Sequence, residues 1–169
     1  FGSAEGLLNA ILDYRMGPLN KRREQLLDAW ELSAEKGKGQ QGDVRALVRI
    51  MAEPLLDQLQ GPVEESYYMS LIMQLSTRGY FAQTLNNHRS QALWRVHEHL
   101  SAALSHLDPE VALQRQVMMG RQLVISIADW DRERRESSQV LSDEHLARRN
   151  ALLFDFIVGG LCAPASSAE

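Results

Sequence analysis

The chain has 169 residues, 44% hydrophobic and 24% charged, with 11 Gly and 5 Pro; collagen-like, low-complexity and disordered classes are excluded, and a chain of this length buries about 70% of its unfolded surface, enough for a core without staples. Its 18 Lys+Arg against 22 Asp+Glu give a net charge of −4, the wrong sign for a module that holds a nucleic-acid backbone by itself. A single cysteine, Cys162, allows no internal disulfide and fits a reducing cytoplasm, and no apolar run approaches the roughly 18 residues of a membrane span.

Apolar residues recur at three- and four-residue spacing throughout, with no period-2 stretch, so the expected class is all-α. Ser3 is placed to cap a first helix through Leu7, Leu8, Ile11, Leu12 and Arg15. Gly17-Pro18 predicts a kink or break, after which Leu19, Leu26, Leu27 and Trp30 carry the pattern to about Glu35. The glycine-rich stretch from Lys36 to Gly42 reads as a loop. Asp43 caps the next helix, which Pro54 should bend, and Gly61-Pro62 opens another carrying Tyr67, Tyr68, Met69, Ile72, Met73 and Leu75. A short segment around Tyr80, Phe81 and Leu85 precedes a helix with Leu93, Trp94, Val96, Leu100 and Leu104. Asp108-Pro109-Glu110 is the strongest start signal, with N-cap, Pro at the first helical position and an acid behind it. The helix it opens ends in the charge run Asp129 to Glu136, expected as a solvated end with near-neighbour pairing. Ser142 opens the last helix, whose end Gly159-Gly160 should weaken before a frayed tail from Ala163.

Chemistry-bearing constellations are missing. His97 and His99 point about 200° apart on a helix, and no histidine has Glu three residues before it, so neither a shared ion nor a di-iron bundle motif can be assembled. There is no Gly-x-Ser-x-Gly elbow, Walker A loop or dinucleotide fingerprint, and Cys162 lacks the neighbours that make a thiolate. The expectation is no enzyme, no cofactor and no metal.

Two features stand above this background. The last two helices are apolar over more than the roughly 100° stripe a surface helix needs, which points either to central core helices or to a face shared with another chain. Ile127, Trp130, Leu146, Leu153, Phe154, Ile157 and Leu161 are the candidate interface of a homodimer. The middle helices are rich in large, adaptable side chains, which suit either plain core packing or a small-molecule pocket. Tyr68, Met69, Ile72, Trp94, His97, Met118, Arg121 and Gln122 are the candidate pocket, with a cavity expected behind Trp94 and Met118. Arg121, flanked by apolar residues, is the cation expected to snorkel, pair with an acid or meet a ligand's polar end.

The opening residues Phe1-Gly2-Ser3-Ala4-Glu5-Gly6-Leu7 resemble the junction of TetR-type transcriptional regulators, in which Phe-x-Ser-Lys-Glu-x-Leu closes the recognition helix and opens the helix to the ligand-binding domain. Arg15-x-x-Pro18-Leu19-Asn20 and Pro54-Leu55-Leu56 continue the likeness. Ala4 departs from the family's Lys, which contacts a DNA phosphate, and Phe1 matches a packing aromatic; Phe1, Ser3 and Ala4 are thus the candidate DNA junction. The chain also begins at Phe1 rather than Met, without a leader pattern. The resemblance implies residues 1–2 as the remnant of a helix-turn-helix domain, 3–162 as an effector-binding and dimerisation domain, and 163–169 as a tail. It implies a multi-helix bundle whose last two long helices pair with their symmetry mates as a four-helix dimer interface. It further implies a cytoplasmic repressor that reaches operator DNA through the missing domain and releases it on binding a small, mostly apolar effector, with no membrane partner. A dimeric helical adaptor that binds proteins instead is the alternative reading.

Overall fold

A computed structural model describes residues 2–35, 43–61, 67–77, 90–137 and 142–165. These residues form six α-helices and, among the described residues, no strand: α1 (Ala4–Glu35), α2 (Val44–Asp57), α3 (Tyr67–Thr77), α4 (Gln91–Ala103), α5 (Pro109–Glu136) and α6 (Asp143–Cys162). A single 3-10 turn, Gln58–Gln60, extends α2. Phe1, the Lys36–Gly42 stretch, Pro62, the segment with Tyr80, Phe81 and Leu85, and the end of the tail lie outside the described residues.

The helix starts follow local chemistry. The Ser3 hydroxyl accepts from the Gly6 amide at 3.0 Å and the Asp43 carboxylate from Ala46 at 3.1 Å. Asp108 accepts from Glu110 at 2.9 Å with Pro109 in the first turn, and Ser142 accepts from His145 at 3.2 Å. Each satisfies a donor that the first helical turn leaves without a partner. Ser90 performs the same task for α4, accepting from Leu93 at 3.3 Å, a cap the sequence pattern did not single out.

The Gly17-Pro18 pair expected to kink or break its helix, Pro54 expected to bend one and Gly159-Gly160 expected to weaken another all lie within continuous helices. α1 runs unbroken through Gly17-Pro18, α2 through Pro54, and α6 through Gly159-Gly160 to Cys162. A proline removes one ladder bond and crowds the carbonyl four residues back, a cost that packing on both sides of the defect can outweigh. The carbonyl that Pro54 leaves without its ladder donor is that of Ile50, and Arg23 Nε donates at 3.5 Å to the next one along, that of Met51.

Two apolar clusters form the interior. One gathers Leu27 of α1, Leu47 and Val48 of α2, Val96 and Leu100 of α4, Met119 and Leu123 of α5, and Leu153, Phe154, Ile157 and Leu161 of α6. The other gathers Leu12 and Leu19 of α1, Leu55 and Leu59, Tyr68, Met69, Ile72 and Leu75 around α3, and Ile127 and Ala128 of α5. Leu56 and Trp130 pack against both. At about 1.5 Å per residue, the 28 residues of α5 span about 42 Å and back both clusters.

The charge run closing α5 shows the expected near-neighbour pairing and is exposed at Arg132, Glu133 and Glu136, but at Asp131 it is not the solvated end expected. Asp131 is 1% exposed and takes bonds from Arg135 and, at 3.5 Å, from Arg134. Arg134 also donates to the carbonyls of Leu59 and, at 2.8 Å, Gly61, while Arg135 bonds the Ser70 hydroxyl at 2.8 Å and stacks over the Tyr67 ring. Helical periodicity turned this acid inward, where two guanidiniums neutralise it and carry its position on to the 3-10 turn and α3. At the other end of the bundle Arg115 holds the carbonyls of Leu161, Ala163 and Pro164, closing the end of α6. Breaking a buried ion network by removing one partner leaves the others desolvated and unpaired. We therefore expect Asp131→Ala to lower the unfolding free energy by about 3 kcal/mol, measured by urea denaturation, with a surface control such as Glu98→Ala, exposed on α4, changing it by no more than about 0.5 kcal/mol.

Candidate functional site

The predicted pocket residues divide among three places. Tyr68, Met69 and Ile72 sit together in the α1–α3–α5 cluster. Trp94 and Met118 are on the outside, 57% and 62% exposed, and Arg121 is exposed as well. His97 is half-buried on α4, its Nδ1 lying 2.6 Å from the Gln116 side-chain oxygen. Gln116 in turn donates to the Ser101 hydroxyl at 3.0 Å, and Ser101 donates to the His97 carbonyl at 2.9 Å. That closed loop fixes the amide orientation and requires the proton of His97 to be on Nδ1. It is a satisfied polar bridge between α4 and α5. Gln122 likewise spends its amide on Ser126, 2.9 Å away on the same helix.

The cavity expected behind Trp94 and Met118 takes a different form. Met118 borders an open cleft of about 340 Å³ at the start of α5, lined also by Asp108, Glu110, Val111, Gln114 and Arg115. Trp94 is not part of it. Among the described residues, no group of three or more His, Cys, Asp or Glu is arranged to hold a metal ion.

Arg121 reaches solvent, one of the outcomes expected of it, and the cation that faces the interior is Arg23. Arg23 is 5% exposed, on the α1 stripe between Leu19 and Leu27. Its Nη1 donates to Asn20 Oδ1 at 2.9 Å and its Nε to the Met51 carbonyl at 3.5 Å. Burial pulls its pKa down to about 10, partly countered by Tyr68. Burial pushes the Tyr68 phenol up to about 12 against the opposing fields of Arg23 and Arg15. The available signal was spacing: Leu19, Arg23 and Leu27 recur every four residues, which puts the arginine on the buried face.

A second polar assembly joins α1 to α4. Arg95 donates to both oxygens of Glu31 and, at 2.8 Å, to Asp28, while His99 Nε2 lies 2.8 Å from Glu31 and its ring meets Trp30 edge-on. Burial alone would raise the Glu31 pKa, but hydrogen bonds and charge from Arg95 and His99 outweigh it and hold the carboxyl below its ordinary range. A carboxyl whose folded pKa is depressed stabilises the fold above its unfolded pKa, and that contribution disappears as pH falls through the folded value.

The candidate dimer residues lie mostly inside the protomer. Ile127, Leu153, Phe154, Ile157 and Leu161 are buried core residues, and Trp130 and Leu146 are half-buried. Around the same two helices, on the outward side, Leu113, Val117 and Ile125 of α5 and Leu152 and Phe156 of α6 are exposed, the last two by 61% and 69%. Gly120, Gly159 and Gly160 have open space where a Cβ would stand. At the junction Ser3 caps α1, while Phe1 and the side chain of Ala4 lie outside the described residues.

For Glu31→Gln we expect a loss of about 1 kcal/mol at neutral pH, discounted for partial exposure. The difference from the unchanged chain should shrink as pH is lowered below about 4, read from urea midpoints across a pH series.

Comparison with known families matches residues 49–160 to the family described as tetracyclin repressor-like, C-terminal domain. No curated protein and no solved structure matches the chain. The matched segment runs from within α2 nearly to the end of α6 and leaves α1 outside it. On that match the chain belongs to the tetracyclin repressor-like family and carries its C-terminal domain.

Proposed function

We propose that this chain is the sensing and dimerising part of a ligand-responsive transcriptional repressor, working in the cytoplasm on operator DNA through a helix-turn-helix domain that precedes α1. The observation that carries the reading is the outward apolar face of α5 and α6. Leu113, Val117, Ile125, Leu152 and Phe156 form a face that a lone protomer leaves in water. The exposed surface, 10490 Å², is roughly a quarter above the scaling for a compact monomer of 19.1 kDa. Two such faces meeting about a two-fold axis bury each other's apolar side chains, and the three glycines let the backbones come close.

The operator side of the mechanism follows from symmetry. A two-fold dimer presents two recognition helices to half-sites about 34–36 Å apart or a multiple of that. An effector shifts the balance between DNA-competent and incompetent geometries only by its differential affinity for the two. A small, mostly apolar effector fits the interior around Tyr68, Met69 and Ile72, where α1 and α3 face each other, so that occupancy acts on α1, the helix nearest the DNA-reading domain. Residues 1–2 are assigned to that domain, 3–162 to sensing and dimerisation, and 163–169 to a tail.

The dimer is the first thing to test. Sedimentation equilibrium at micromolar concentration is expected to give twice the chain mass, and Phe156→Lys to raise the dissociation constant at least about a hundredfold by placing a charge in the centre of the face. A substitution at an inward position, Ile157→Val, should leave the association constant within about threefold and cost about 1 kcal/mol of stability instead. A monomeric chain overturns the reading.

A further inference from the structure

Arg23, Gln116 and Asp131 are the buried polar or charged side chains of the described core. Gln116 is closed into the His97–Ser101 loop, and Asp131 is neutralised by Arg134 and Arg135. Arg23 has no such balance. A guanidinium carries five N–H donors, and the two it uses go to neutral oxygens, one of them at 3.5 Å. Among the described residues no carboxylate pairs with it. The role of bracing the Met51 carbonyl near Pro54 needs one donor and no charge, so it does not account for a buried guanidinium.

The surroundings have a consistent chemistry. Tyr68 of α3 is buried and stands within electrostatic reach of Arg23. Arg15, one helical face along α1, adds positive field at the same phenol. Leu19, Leu55, Met69 and Ile72 provide the apolar remainder, with Met69 able to re-pack. We infer that the fork of Arg23, with the Tyr68 O–H as a further donor, binds the carboxylate of a small acid whose apolar body lies among Leu19, Met69 and Ile72. A planar carboxylate takes two parallel N–H bonds from one guanidinium, and one buried positive charge balances one negative charge, which favours a monocarboxylate over a phosphate. This rests on the effector reading above and names the effector's class.

The test uses octanoate and phenylacetate, with octanamide and phenylacetamide as neutral controls of the same shape. Both acids are expected to raise the melting temperature of the chain by several degrees at saturation, and the amides to leave it unchanged. In calorimetric titration Arg23→Met should weaken acid binding at least about thirtyfold and Tyr68→Phe about fivefold. The ligand-free Arg23→Met chain should melt no lower than the unchanged one, because it loses an uncompensated buried charge for a side chain of similar shape. Arg23→Lys, which keeps the charge and loses the fork, should fold and bind about tenfold more weakly. The inference is overturned if neither acid shifts the melting temperature, if acids and amides shift it equally, or if both Arg23 variants bind acid as tightly as the unchanged chain. An acid that binds through Arg23 but leaves operator affinity of the whole regulator unchanged overturns the effector reading alone. Operator release by amides and acids alike, indifferent to Arg23→Met, overturns this inference alone.

Discussion

The helix α5, 28 residues long, packs against α2, α3, α4 and α6 and has to satisfy three environments at once. Its first half lends Met119 and Leu123 to the cluster with α2, α4 and α6; its second half lends Ile127 and Ala128 to the cluster with α1 and α3. The third side, with Leu113, Val117 and Ile125, is left outside both. Apolar area removed from water is worth about 25 cal/mol per Å², so a helix with apolar residues on three sides gains most when all three are covered. The fold covers two. In the proposed dimer the third is covered by the partner, and the paired last helices and the sensing interior then share one rigid element.

The two ends of α5 are fixed by charge in a way the apolar clusters cannot provide. Apolar packing is non-directional, whereas Arg115 at one end and the Asp131–Arg134–Arg135 group at the other reach named carbonyls and hydroxyls. Arg134 ties the helix to the 3-10 turn and Arg135 ties it to α3, so the register of α5 against both is set by hydrogen-bond geometry. Asp131 lowers the cost of holding two guanidiniums there by placing one negative charge between them.

Much of this was legible because it is local. The caps Ser3, Asp43, Asp108 and Ser142 are single-residue chemistry at the edge of an apolar period, and each proved to hold its amide. The all-α class followed from the same periods. What was not legible depends on which side of a helix faces in. On α6 both Leu152, Phe156 and Leu153, Phe154, Ile157 are apolar, so periodicity defines two faces without ranking them; only packing against α2 and α5 makes the second set the interior. Arg23 was not singled out although the four-residue spacing from Leu19 to Leu27 puts it on the buried face. Of the kink or break expected at Pro18, the break is absent for another reason: a helix break is a competition between one lost ladder bond and the packing on either side, and the second term is tertiary.

The contrast between Asp131 and Arg23 separates what stabilises this fold from what equips it. Both are charged and nearly fully buried, yet only Asp131 is matched by opposite charge among the described residues. Desolvating a guanidinium without a counter-charge costs free energy in the empty protein, and that cost is met by the apolar packing around Leu19, Leu27 and Ile72. A carboxylate arriving there finds the cation already largely desolvated and held by Asn20 and the Met51 carbonyl, so less of the binding energy is spent on ordering the site. The interaction is correspondingly stronger than the same pair at the surface, where solvent screens it. Selectivity follows from the same imbalance, because a neutral molecule of equal shape leaves the buried charge as it was and forfeits the term that favours the acid. The instability of the empty site and the discrimination of the filled one are therefore two readings of a single uncompensated charge.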